Sequence, residues 1–147
     1  MQTIDTHRDF AVDAARIWAF LEDFGNIEAW WPAGGPVAIR EVVLEGEGIG
    51  MIRHIHNHGM PAPVSEQLDF IDPASRTLRL SIVGQRPAGL LRYQATGRLT
   101  EQGPGQCRLS YHSEFDAEPG REDEARGFLS GAYELMFDGL DQAARRG

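Results

Sequence analysis

The chain has 147 residues, a net charge of −8 from 22 acidic and 14 basic side chains, and one cysteine. That length reads as one domain, residues 1–147, with enough apolar content for a buried core. The acidic balance gives no footprint for nucleic acid or an anionic membrane, the lone Cys107 rules out an internal disulfide and a Cys-rich zinc pattern, and the absence of lysine removes Schiff-base chemistry.

No run approaches the ~20 apolar residues of a membrane-spanning helix. The opening MQTIDTHRDF lacks the charged start and apolar stretch of a signal peptide. A cytoplasmic chain without membrane insertion is expected.

Residues 3–10 alternate loosely and fit a first strand. Asp13 then stands as a helix N-cap before Ile17, Phe20, Leu21 and Phe24, which share a helical face, and Gly25 stops that helix. A second short helical piece, NIEAWWP, ends at Pro32, and Ala33-Gly34-Gly35-Pro36 is a loop. From Val37 the period changes to two. Strands are predicted at 37–44, 49–58, 63–71, 76–84, 90–100 and 106–116, separated by short Gly- and Pro-bearing breaks that imply antiparallel hairpins. After Pro119-Gly120 the period is helical again, with Ala125, Phe128, Leu129, Ala132, Met136 and Leu140 on one stripe. A helix of about 20 residues spans ~30 Å and can cross a whole sheet.

This order predicts an α+β fold: a curved seven-stranded antiparallel sheet, two short helices after the first strand, and a long C-terminal helix covering one sheet face. One helix cannot fill a strongly curved sheet, so a ligand-sized gap is expected between them.

Strand parity places individual side chains. Ile49, Met51, Arg53 and Ile55 share a face, and His54, His56 and His58 share the other. Val64, Glu66, Leu68 and Phe70 are assigned inward. So are Leu78, Leu80 and Ile82, then Leu91, Tyr93, Ala95, Gly97 and Leu99, and finally Cys107, Leu109, Tyr111, Ser113 and Phe115. Arg53 and Glu66 are thus the charged members of an otherwise apolar interior. A hairpin folded about Gly59–Met60 sets them directly opposite, with Met51 against Leu68 and Ile55 against Val64. Burying a charge is costly unless it is paired.

The segment Asp13-Ala14-Ala15-Arg16-Ile17-Trp18 through Asp23-Phe24 to Trp30 and Pro32 resembles the first-helix signature of the SRPBCC, or START-like, superfamily, the polyketide cyclase/dehydrase and lipid-transport group. Gly50 and Arg53 resemble its G-x-x-R strand, and Glu66, Leu68 and Asp72 its E-x-L-x-x-x-D strand. Pro87, Tyr93 and the Tyr111…Phe115 pair resemble later strands. Leu80 and Tyr111 depart from it, standing where Tyr and Trp are expected. The resemblance covers nearly the whole chain. It implies a helix-grip fold with an internal apolar cavity, in a group whose members include binding proteins, cyclases, hydrolases and chaperone regulators.

Arg53 and Glu66 are either a polar anchor in the cavity or an ion pair that fixes strand register. Arg53, Glu66, Leu68, Tyr93, Tyr111, Phe115, Phe128 and Met136 are the expected ligand-binding set. The expected partner is a small hydrophobic molecule: a polyketide, lipid or aromatic compound. An enzyme of the cyclase/dehydratase type would use Arg53, Glu66 and Tyr93, the last as proton donor. A third alternative is a protein-interaction module without ligand. The outward histidines lack a carboxylate cluster, so neither metal nor cofactor is expected. Glu45 to Gly50 resembles a phosphate loop only in its glycine spacing and reads as a hairpin turn. Ser113 faces inward with no inward histidine to activate it. Trp30 is expected to pack at the cavity end and Trp31 to be partly exposed beside the Pro32–Pro36 loop at the entrance. Gly127, Gly131 and Gly139 each cost the last helix roughly 1 kcal/mol relative to Ala. They mark a close approach, a loose gating helix, or simple tolerance. The chain is expected to be a monomer or homodimer.

Overall fold

A computed structural model describes residues 1–35 and 37–146. Strands β1 (Gln2–Phe10), β2 (Ile39–Glu45), β3 (Ile52–Asn57), β4 (Val64–Asp72), β5 (Thr77–Val83), β6 (Leu90–Gly103) and β7 (Gln106–Ala117) form one antiparallel sheet. Their order is β1-β7-β6-β5-β4-β3-β2. The run from β2 to β7 is a meander, and β1 closes onto β7 at the far edge. Helix α1 (Ala14–Glu22) and a 3₁₀ turn (Ile27–Ala29) carry the chain from one edge strand to the other. Helix α2 (Glu122–Arg145) follows β7. This is the helix-grip arrangement expected from the sequence.

Asp13 occupies the N-cap position of α1 in extended conformation, but its side chain caps nothing. Its Oδ1 instead accepts the N–H of Gly105 at 3.0 Å, fastening the β6–β7 turn to the start of α1. Helix α2 has Glu122, Asp123 and Glu124 in its first turn and Arg145 in its last. Both charge sets complement the helix dipole.

The core lies between α2, α1 and the concave sheet face. Phe115 (β7), Phe137 (α2), Ile17 (α1) and Leu140 (α2) are completely enclosed. Burying side chains of this size contributes about 1.5–3 kcal/mol each. Cys107 is buried here, and burial pushes its thiol up to about 11, consistent with packing rather than reactivity.

The strand pairing matches the predicted register: Arg53 opposes Glu66 and Ile55 opposes Val64. The Leu68 N–H bonds Met51 O at 2.9 Å. Three inward assignments fail: Ile49 lies in the turn before β3 and is 61% exposed, and the other two fail at bulges. The β4–β5 ladder shifts between Leu68 and Phe70, so Ile71 takes the inward place opposite buried Leu78. Phe70 turns out, 40% exposed, with the Arg79 guanidinium 5.8 Å from its ring centre. The β6–β7 ladder shifts between Leu90 and Arg92, so Leu90 is buried and Leu91 is 52% exposed. A bulge inserts one residue and reverses the alternation beyond it.

The glycines of α2 separate into two kinds. A Cβ on Gly139 would stand 2.3 Å from Trp30 O and 2.7 Å from Pro32 Cδ, whereas Gly127 and Gly131 face open space. Close approach explains Gly139; nothing in the structure explains the other two.

Candidate functional site

Between α2 and the sheet lies a cavity of about 90 Å³. Strands β3 to β7 supply its floor, including Arg53, Glu66, Tyr93 and Tyr111. Phe128, Tyr133 and Met136 of α2 form the roof, and Trp30, Trp31 and Ile39 close one side. A second void of about 30 Å³ adjoins it, and Trp30, Arg53, Tyr111 and Met136 border both. Among the expected ligand-binding residues, Arg53, Glu66, Tyr93, Tyr111, Phe128 and Met136 line the main cavity. Leu68 and Phe115 do not: both are buried in the core, and neither borders either cavity. Parity puts a residue on the inner face; whether it meets a void or a neighbour depends on where α2 sits.

Arg53 is held on several sides. Its Nε and Nη2 lie 2.8 and 2.7 Å from Glu66 Oε1, and Nη1 donates to Phe24 O at 2.9 Å. The Phe24 ring stacks under the guanidinium, 3.9 Å from its carbon. The cation is therefore neutralised, hydrogen-bonded and capped by an aromatic face. Both Arg53 bonds go to Oε1, so Glu66 Oε2 has no hydrogen bond from the described residues.

A second polar group borders the same cavity. Tyr133 Oη donates to Ser113 Oγ at 2.8 Å, and Tyr93 Oη lies 2.6 Å from Tyr133 Oη. A phenol has one proton. With that of Tyr133 given to Ser113, Tyr93 donates to Tyr133, and both protons are held inside the protein. The Tyr111 ring meets Tyr133 edge-on at 4.9 Å. Burial, as the leading cause, raises all three phenols above their ordinary range, Tyr133 to about 12. They are hydrogen-bonding groups at neutral pH, not bases. Gly97 stands opposite Tyr111 in the β6–β7 ladder and gives the ring a bare backbone to lie against.

Tyr133 lies outside the expected set, although helical spacing from Leu129 to Met136 places it on the same stripe. Trp31 is partly exposed, as expected, and its Nε1–H donates to Val37 O at 2.8 Å. Of the loop expected at the entrance, Pro36 lies outside the described residues. His54 bonds Ser65 Oγ and Glu45 on the outer face, and the described residues hold no metal-type cluster of three or more His, Cys, Asp or Glu. None of the described helices is long and apolar enough to cross a membrane.

The model of the polyketide cyclase / dehydrase and lipid transport family matches residues 1–145. The chain belongs to this family. No curated protein sequence matches it. Among solved structures, it is similar to the protein XoxI of Bacillus cereus at 20% identity and a TM-score of 0.83, covering 99% of this chain and 97% of that one. Norcoclaurine synthase from Thalictrum flavum is similar at 18% identity and a TM-score of 0.80, covering 99% and 87% respectively. A Thermobifida fusca protein solved in solution gives 23% and 0.77, covering 99% and 93%. At these identities the likeness carries the fold alone.

Proposed function

We propose that this family member binds or transports a small hydrophobic molecule, of polyketide, lipid or aromatic type, in the cavity under α2. The observation that carries it is the combination of an apolar enclosure of about 90 Å³ with a few converging polar groups. The Arg53–Glu66 pair anchors the polar end of the ligand through Glu66 Oε2, and also sets the β3–β4 register. On the scale where a water occupies about 10–15 Å³, this volume suits a molecule near the size of one substituted ring.

A cyclase or dehydratase using Arg53, Glu66 and Tyr93 is the second reading, favoured by the unpartnered Glu66 Oε2 beside the tyrosines. It needs a change of hydrogen bonding first, because the Tyr93 proton is committed to Tyr133.

Trp30 and Trp31 on the wall make intrinsic fluorescence the direct assay. Titration with a single-ring aromatic such as ethyltoluene is expected to give a saturable change in the wild type and none in Ala132→Phe, which fills the cavity. A linear response in the wild type, with no rise in melting temperature, would sink the binding function.

A further inference from the structure

Most hydrogen-bond donors bordering the main cavity are already committed. All the guanidinium nitrogens of Arg53 are engaged, by Glu66 Oε1 and by Phe24 O. Tyr93 gives its proton to Tyr133, and Tyr133 gives its own to Ser113. The Trp31 indole N–H is held by Val37 O. Trp30 Nε1 and Asn57 Oδ1 have no partner among the described residues, but both atoms are sealed away from free space. Glu66 Oε2 is different. It too has no hydrogen bond from the described residues, yet it is not sealed. The Glu66 side chain is 18% exposed, and β4 is flanked by β3 and β5. Its free surface therefore opens on the concave face, into the space under α2. The cavity offers a ligand a carboxylate oxygen, which only accepts.

From this, and resting on the binding function proposed above, we infer the ligand class: a neutral single-ring molecule whose polar end is a hydroxyl that donates to Glu66 Oε2. A hydrogen bond to an ionised acceptor is about twice as strong as one between neutral groups, so this contact dominates the choice. Neutrality follows from the Arg53–Glu66 pair, whose charges cancel at 2.7 Å. An ammonium would compete with Arg53 for one carboxylate, and a second carboxylate would enter without a free counter-charge. A carbonyl has no proton to give. A hydroxyl gives one to Glu66 and keeps its lone pairs free for the Tyr111 phenol on the same wall.

The test is calorimetric titration of the whole chain at neutral pH with a series built on one frame. The probes are 4-methylbenzyl alcohol, 4-ethyltoluene, 4-methylbenzaldehyde, 4-methylbenzylamine and 4-methylbenzoate. The alcohol is expected to bind about tenfold or more tightly than ethyltoluene and the aldehyde, because either of those leaves the carboxylate oxygen unpaired. Glu66→Gln keeps the shape, leaves an amide oxygen for Arg53 and puts an N–H where Oε2 stood. It is expected to cut the preference for alcohol over aldehyde by about tenfold. That preference is a ratio, so a general loss of affinity does not mimic the effect. A circular-dichroism melt shows whether the variant folds; if it does not, the wild-type ranking decides alone. Tighter binding of the amine or the benzoate than of the alcohol would overturn the neutral class. Ethyltoluene or aldehyde binding as tightly as the alcohol, or a preference unchanged in folded Glu66→Gln, would overturn the hydroxyl pairing and leave the binding function standing. No binding by any probe would overturn both.

Discussion

Arg53 and Glu66 oppose each other across β3 and β4, with two guanidinium nitrogens 2.8 and 2.7 Å from one carboxylate oxygen. Their side chains are 8% and 18% exposed. Arg53→Ala strands a largely buried carboxylate and is expected to cost about 3–5 kcal/mol in urea unfolding. Arg53→Met with Glu66→Leu removes both charges and is expected to recover most of that loss. A double variant as unstable as the single one would contradict the pairing energetics.

The Tyr93–Tyr133–Ser113 chain predicts a second stability effect. Tyr133→Phe leaves Ser113 Oγ, which is completely buried, without its donor. The expected cost is about 1–3 kcal/mol. Adding Ser113→Ala to Tyr133→Phe is expected to cost less than the sum of the two single changes, because they share one bond. Strict additivity in a double-mutant cycle would show that the bond contributes nothing.

Gly139 and Gly131, two turns apart on α2, are expected to respond oppositely to alanine. Gly139→Ala collides with Trp30 O and the Pro32 ring, and is expected to lose about 1–3 kcal/mol and shift the Trp30 emission. Gly131→Ala meets nothing and is expected to gain up to about 1 kcal/mol from helix propensity. Thermal melts of the two variants side by side decide it.

On the outer face, the His112 ring lies 2.7 Å from Asp5 and 3.2 Å from Glu114, and these hydrogen bonds raise its pKa above the usual 6.5. A histidine whose pKa is raised by folding adds stability below its unfolded pKa and loses it as pH rises through the folded value. The gap in denaturation midpoint between wild type and His112→Gln is therefore expected to be wider at pH 5.5 than at pH 8.5. The ring is 42% exposed, so solvent keeps the effect small. A gap that widens toward high pH would refute the sign.

Much of this was legible in the residues. Alternation along β3 sends His54 outward and Arg53 inward, and the next strand puts Glu66 opposite it. A pleated strand allows only two directions, so a charge on the apolar face needs a partner across the ladder. The helical period after Gly120 likewise fixed the existence of α2. Phe70 and Leu91 show the limit. A bulge is one extra residue, placed where the curved sheet must bend, and no local pattern marks it. Leu68 and Phe115 show another: inward direction is local, but meeting a void rather than a neighbour depends on how α2 crosses the sheet. Tyr133, Ser113 and Asn57 come from three separate segments. Each is an ordinary residue in the chain, and their place on one cavity wall or in one hydrogen-bond chain is a property of distances that only the closed fold sets.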